Sequence, residues 1–201
     1  MTPRAALGFK LHTGWAALVA VSGHPGKIQL LLRRRIELLP PDSSIPRFVY
    51  HEASELPRAQ AAELVKRAAK ASASAAKLAV NEVLSELASR GVQVEICGVL
   101  SSFRSAPGDL STILRSHPLI HTAEGALFQN ALVSACESCK LLVVLARERE
   151  VWASAAAALG VPEPRLRKEV DDLRKTFGSP WTADHKAATA IALLALNSKT
   201  G

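Results

Sequence analysis

Three short apolar segments at the start of the chain constrain the fold most. Residues 5–10 and 15–21 flank a tight turn around Thr13 and Gly14, and a second turn at residues 22–26 precedes an Ile- and Leu-rich segment, 27–39. Short apolar segments bounded by turns are typical of buried strands. Glycine and proline in the second turn supply the dihedral angles that a reversal needs. The pattern predicts an antiparallel meander of three strands.

A long helix follows the meander. The loop 40–46 contains three prolines, which cannot join a strand ladder, and residues 47–51 are predicted to form a short extended piece. The long helix is predicted from Leu56-Pro57 to Arg90, because proline suits a first helical turn and Gly91 suits its end. Its predicted buried stripe consists of Leu64, Ala68, Ala71, Ala75 and Leu78.

Strands and helices alternate in the second half. The segment from Val92 to Leu100 is predicted to form a central parallel strand. A polar loop is predicted over residues 101–116, with one helical turn after Asp109. A helix over 119–140, with Ala123, Leu127, Asn130 or Ala131, and Ser134 on one face, leads to a strand at 141–145. The predicted closing helices are 147–159, 162–177 and 183–196. This order predicts an α/β fold in a single domain, 1–201: a mixed five-stranded sheet, with three antiparallel strands and then parallel strands, flanked by helices.

Composition narrows the class of protein. The 201 residues are 48% hydrophobic and carry a formal net charge of +7, so electrostatic attraction to DNA or RNA is one expectation. Aromatic residues make up only 4%, which argues against stacking platforms for single strands. No apolar run approaches the roughly 20 residues of a membrane span, and the start lacks the pattern of a signal peptide. Three cysteines argue against a disulfide framework, so we expect a cytoplasmic protein.

Several segments resemble the RNase H-like superfamily, above all the Holliday-junction resolvases of the RuvC type. The opening Gly8-Phe9-Lys10, followed by Thr13-Gly14-Trp15-Ala16, is similar to the first two strands of that family, except that the family has Asp where this chain has Lys10. Further similar segments are 92–103, Glu124 to Leu127, 141–145, Arg147 with Glu148 and Val151, and Trp181 to Ala192. The resemblance covers most of the chain and implies a mixed RNase H-like sheet.

The resemblance also implies where a nuclease of this family holds two divalent metal ions. Its acids lie on the first strand, the fourth strand and the last helix. Here those positions carry Lys10, a residue near Cys97 or Gly98, and Ala187, while Asp184 matches the first acid of the last helix. Since hard cations need clustered carboxylates, we expect no catalytic metal and a pairing of Lys10 with Asp184.

The expected remnant of the site is a cleft formed by Lys10, His12, Asp184 and His185, with no catalytic residue and no cofactor. A relocated metal site using Glu52, Asp109, Glu124 or His185 is a weaker alternative. Glu52 and Asp109 are equally explained as solvated loop acids, and Glu124 as an early-helix acid favoured by the helix dipole. The sequence alone gives little support for a metal role of His117 and His121. The short Leu11 to Gly14 loop cannot cradle phosphates as the related actin-like ATPases do.

Other motifs have two explanations each. Cys136 and Cys139 form a Cys-x-x-Cys pair without a second pair, so they are predicted to be small buried residues rather than zinc ligands. Arg33 and Arg35 share one predicted strand face. They are candidate nucleic-acid contacts, together with Lys66 and Lys70, although a solvated edge that blocks aggregation is favoured for the arginines.

The functional prediction is a non-catalytic RNase H-like domain with a binding or scaffolding role and DNA or RNA as a candidate partner. The alternative is a RuvC-like, metal-dependent, structure-specific endonuclease with rearranged acids, which would use Mg²⁺ or Mn²⁺. Homodimerisation through the alanine-rich helices 119–140 or 183–196 is a further hypothesis, since resolvases of this kind act as dimers.

Overall fold

The computed structural model describes residues 4–40, 44–101 and 108–198. Within these ranges the chain forms a five-stranded sheet in the spatial order β3-β2-β1-β4-β5. The strands are β1 (Arg4–His12), β2 (Trp15–Ser22), β3 (Gln29–Glu37), β4 (Gln93–Ser101) and β5 (Leu142–Arg147). The first three are antiparallel, and β4 and β5 run parallel to β1. The predicted mixed α/β sheet is confirmed.

Helices cover both faces of the sheet. They are α1 (Val49–Ser54), α2 (Arg58–Ser89), α3 (Leu110–Leu114), α4 (His117–Ser138), α5 (Val151–Leu159), α6 (Glu163–Asp172), α7 (Arg174–Phe177) and α8 (Ala183–Asn197). One layer contains α1, α2 and α4 and packs on the face that carries Leu7 and Phe9. The other contains α5, α6 and α8 and packs on the face that carries Ala6 and Val19. Burial on both faces explains why β1 and β2 are almost continuously apolar.

Two glycines set the position of α8 on the sheet. Gly8 of β1 and Gly98 of β4 are direct partners in the parallel ladder. A Cβ on Gly8 would overlap the carbonyl oxygen of Ala188, and a Cβ on Gly98 would lie 2.5 Å from the carbonyl oxygen of Ile191. The α8 backbone therefore rests directly on the strands. This contact brings the first turn of α8 to the edge of the sheet where β1 ends.

Some predictions about local structure are wrong. Residues 47–51 are not extended, because α1 begins at Val49 and its Val49 and Ala53 are buried against the neighbouring helices. The buried stripe of α2 continues through Ser72, Ala76 and Val80 rather than through Ala71, Ala75 and Leu78. Leu78 is 65% exposed. Over 32 residues the buried face of α2 rotates, since steps of four residues drift relative to the 3.6-residue turn.

The ends of other elements also differ from the prediction. Helix α5 begins at Val151 instead of residue 147, and the predicted helix 162–177 is divided into α6 and α7. On α4, Asn130 and Ser134 are exposed, whereas the predicted Ala123, Leu127 and Ala131 are buried. Parts of the predicted loops 40–46 and 101–116, and the end of the segment 92–103, lie outside the described residues. None of the helices in the described ranges is both long and apolar enough to cross a membrane.

Candidate functional site

The candidate site lies at the edge of the sheet where β1, β4 and β5 end. Lys10 is two residues from the end of β1, and its ammonium pairs with the carboxylate of Glu148, which directly follows β5. The Lys10 side chain is 12% exposed and that of Glu148 is 50% exposed. The expected pairing of Lys10 with Asp184 is therefore wrong, because the end of β5 brings a different carboxylate to the lysine.

Asp184 contacts His12 instead. Their Oδ2 and Nε2 atoms lie 3.0 Å apart, without the alignment of a hydrogen bond. The His12 ring stacks on Trp15 with centroids 4.1 Å apart, and the guanidinium of Arg35 lies 3.9 Å from the centroid of the Trp15 ring. Asp184 is in the first turn of α8, where the helix dipole favours a negative charge. The fold thus brings Lys10, His12, Asp184 and a neighbouring aromatic stack to one edge.

Apolar residues occupy the centre of this edge. In the ladder, Lys10 is opposite Leu100, whereas Cys97 and Gly98, near which the fourth-strand position is predicted, are opposite Leu7 and Gly8. Leu100 is 1% exposed and packs with Ala187 and Val151. This packing leaves the residues next to Lys10 without a carboxylate on β4 or at position 187.

Glu95 is on β4, but it is too far from Lys10 to supply a carboxylate at this edge. It lies near the beginning of the strand, where it pairs with Arg4 at 3.7 Å. At about 3.3 Å per residue, five residues place it roughly 16 Å from the end that carries Leu100. The segment 102–107, which follows β4, is outside the described residues and contains no Asp or Glu.

The three consecutive arginines of β3 make structural contacts. Arg33 donates to the carbonyl oxygens of residues 178–180, which precede α8. Arg35 pairs with Glu37 on the same strand, and Arg34 on the opposite face pairs with Glu86 of α2 at 2.5 Å. The guanidinium groups proposed as phosphate contacts on Arg33 and Arg35 are therefore already engaged within the chain.

His185, predicted as part of the remnant cleft, caps its own helix. Its Nδ1 accepts a hydrogen bond from the backbone N–H of Thr182 at 3.1 Å, and the Thr182 hydroxyl accepts from the backbone N–H of His185. The ring also stacks on Trp181, with centroids 5.6 Å apart. This reciprocal capping box requires an unprotonated Nδ1, so His185 contributes to the start of α8 rather than to a reaction.

The stability of the protein is expected to fall in mild acid because of His185. Burial lowers the pKa of His185 below its ordinary value of 6.5, and the Arg33 guanidinium lowers it further. The unfolded chain then binds the proton more readily than the folded chain, so stability is lost as pH falls through 6.5 towards the folded pKa. We expect the thermal midpoint to drop between about pH 7.5 and about pH 5.5.

The variant His185→Gln provides the control for this pH dependence. Glutamine can occupy the same capping-box position but does not titrate. The difference in thermal midpoint between wild type and variant should therefore depend on pH. Parallel curves for the two proteins across this range would exclude His185 as the source.

Of the other predicted acids, Asp109 and Glu124 have structural partners, whereas Glu52 does not contribute to such a contact among the described residues. Asp109 caps α3: its carboxylate accepts from the hydroxyl of Ser111 and the backbone N–H of Thr112, and these bonds lower its pKa to about 2. Glu52 is exposed on α1. Glu124 is not an early-helix acid, because α4 begins at His117 and Glu124 lies in its interior, almost completely buried.

The cysteines do not form a reactive pair along the helix. Cys136 is buried against Cys97 of β4, and the hydrogen bond between the two thiols, together with burial, raises the pKa of Cys136. Cys139 is half-buried, with its sulfur 3.2 Å from Asn81 Oδ1. This placement agrees with the prediction that the Cys-x-x-Cys residues are small core residues.

Lys66 and Lys70 are exposed on α2. Because α2 connects the meander to the start of β4, its first half lies towards the edge of the sheet where β4 ends. Lys66, Lys70 and Lys77 fall within about 40° of one another around the helix axis, given about 100° per residue. They form an exposed basic stripe in the helical layer opposite α8.

Solved structures show the same arrangement of strands and helices. The Thermus thermophilus RuvC structure is 15% identical with a TM-score of 0.52, and the match covers 94% of this chain and 92% of that one. The chain has a RuvC-like RNase H fold. T. thermophilus RuvC in complex with a Holliday junction substrate is 17% identical with a TM-score of 0.53, covering 96% and 92% of the two chains. No protein-family profile and no curated protein matches the sequence.

Sequence reasoning missed Glu148 as the partner of Lys10. The available signal was its position: Glu148 directly follows a strand parallel to β1, and the carboxyl ends of parallel strands meet at one edge. Within the RuvC-like fold, this edge is also where the resemblance places the family's acids. The carboxylate contacts of Lys10 and His12 are formed there, Lys10 with Glu148 and His12 with Asp184.

Proposed function

We propose that the protein is an RNase H-like domain that binds nucleic acid without cleaving it. The observation that supports this proposal is the composition of the strand edge: Lys10 and Ala187 are at positions where the resemblance expects acids, and the residue opposite Lys10 in the ladder is the buried Leu100. The remaining carboxylates, Glu148 and Asp184, already contact Lys10 and His12.

Electrostatics argue against a two-metal mechanism at this edge. Two divalent ions need several clustered carboxylate oxygens to offset their charge. The Lys10 ammonium, whose side chain is only 12% exposed, is paired with Glu148, so this carboxylate already has a cation as its partner.

Two observations support nucleic acid as the partner. The net charge of +7 provides the attraction that phosphate binding requires, and the similar RuvC structure was determined with a Holliday junction substrate. Since Arg33 and Arg35 are engaged within the chain, we propose that Lys66 and Lys70, whose side chains are exposed, contact the phosphate groups of the nucleic acid.

Gel-shift titrations with branched and duplex DNA over a salt series test the binding. Wild type is expected to bind with an affinity that falls as salt rises. The double variant Lys66→Gln/Lys70→Gln should bind more weakly, with a salt slope reduced by about 2 if each lysine contacts one phosphate.

Lys27→Gln/Lys140→Gln is the charge-matched control. Both lysines are exposed, and they lie in loops at the opposite edge of the sheet, before β3 and before β5. Equal losses in the two double variants would show that only net charge matters. Absence of salt-dependent binding by wild type would exclude nucleic acid as the partner.

Cleavage assays distinguish the alternative, a metal-dependent endonuclease with rearranged acids. We expect no cleavage of branched DNA in Mg²⁺ or Mn²⁺. Robust cleavage that is abolished by Asp184→Ala would establish the nuclease and overturn the proposal.

The structure bears on one of the two surfaces in the homodimer hypothesis. Residues of α8 from Ala187 to Leu193 are buried within the same chain, so the middle of this helix is not available to a second copy. A dimer through another surface stays a prediction, which sedimentation velocity would test.

A further inference from the structure

We propose that His51, His117 and His121 form a binding site for a divalent transition-metal ion of the zinc class. One ring nitrogen from each histidine lies within 4.8 Å of the other two. His51 belongs to α1, and the other two belong to the start of α4. The site is therefore assembled by the packing of two helices that are distant in sequence.

The local geometry favours three ligands around one point. His117 and His121 are four residues apart on one helix, so their side chains lie on the same face. The His51 ring centroid is 5.7 Å from that of His117 and 4.8 Å from that of His121. Tetrahedral zinc with bonds of about 2.0–2.1 Å needs nitrogens about 3.3 Å apart. Since His117 and His121 are exposed, small side-chain rotations can close the remaining gap.

A buried carboxylate orients one of the ligands. Glu124 Oε1 lies 3.2 Å from His51 Nδ1, which leaves Nε2 of the same ring for a metal. The Glu124 side chain is only 5% exposed, and the same oxygen accepts from the backbone N–H groups of Tyr50 at 2.7 Å and His51 at 3.2 Å. A carboxylate that holds the far nitrogen of a ligating histidine is a recurrent feature of zinc sites.

The ligand chemistry selects the metal. Three imidazoles suit Zn²⁺, Co²⁺, Ni²⁺ or Cu²⁺, whereas Mg²⁺ prefers oxygen ligands. Three protein ligands on tetrahedral zinc leave a fourth position for water or another small ligand. The site is distinct from the strand edge at Lys10, because α1 and α4 pack on the sheet face opposite α8.

Metal titration of tag-free protein, stripped with chelator, tests the proposal. We expect one Zn²⁺ per chain by calorimetry, a higher thermal midpoint with zinc, and a visible absorption band of tetrahedral Co²⁺. His121→Gln should lose the cobalt band and the zinc-dependent stabilisation, and Glu124→Gln should weaken zinc binding by about tenfold or more.

His24→Gln is the matched control, since His24 lies in the turn between β2 and β3 and is exposed. It should bind zinc as wild type does. Thermal midpoints without metal show whether His121→Gln still folds. Absence of stoichiometric zinc binding by wild type, or equal zinc affinity in His121→Gln and His24→Gln, would overturn the proposal.

Discussion

Gly8→Ala is expected to lower the free energy of unfolding by about 3 kcal/mol or more, or to prevent folding. The added Cβ would overlap the backbone carbonyl of Ala188 and lie 2.8 Å from the Cβ of Ala192. A backbone carbonyl cannot rotate away as a side chain can, so α8 would have to move off the sheet. Denaturant unfolding followed by circular dichroism measures the effect.

Gly91→Ala is the control for a loss of glycine without a steric clash. Gly91 has a φ of +70°, and a Cβ there would meet no atom within 4 Å. Gly91→Ala should lower the free energy of unfolding only by the cost of holding alanine in the left-handed backbone conformation, about 1–2 kcal/mol. If Gly8→Ala cost no more than Gly91→Ala, α8 would not rest directly on β1. The described position of Asp184 next to His12 would then be in doubt.

Ala187→Asp is expected to destabilise the protein by about 3–5 kcal/mol, because it buries a carboxylate among apolar residues that provide no cation to pair with it. Ala187 is 7% exposed and packs with Leu100 and Val151. Burial should raise the pKa of the new carboxyl, so the stability difference from wild type should shrink as pH falls. Unfolding curves at several pH values, with and without Mn²⁺, measure both effects.

Ala183→Asp makes the same chemical change on the same helix at an exposed position. It lies in the first turn of α8, where an acid is favoured by the dipole, so its stability should be unchanged or slightly higher. If Ala187→Asp were tolerated and stabilised by Mn²⁺, the edge would be open to metal ions. That result would favour the nuclease alternative over binding without cleavage.

The strand and helix order was readable from the sequence because it depends on local patterns. Short apolar segments, turn residues and the periodicity that distinguishes strands from helices are set by residues close together in the sequence. The same holds for the absence of Asp at position 10 and for Asp184 at the start of the last helix. These features predicted the mixed sheet, which the structure confirms.

The partners of the site residues could not be read in the same way. Whether Lys10 contacts Asp184 or Glu148 depends on the ladder register of β1, β4 and β5 and on the position of α8 against Gly8. A shift of one residue in register would present different side chains at the edge. Sequence patterns do not define register across strands that are far apart in the chain.

The sequence by itself determined the class of fold and the positive charge, and it predicted that acids are missing at most of the family's metal positions. Only the tertiary structure decided that Leu100 fills the centre of the edge and that Glu148 neutralises Lys10. It also decided that Glu124 and three histidines come together. The physical reason is that helix and strand formation depend on residues a few positions apart, whereas these contacts depend on how whole elements pack.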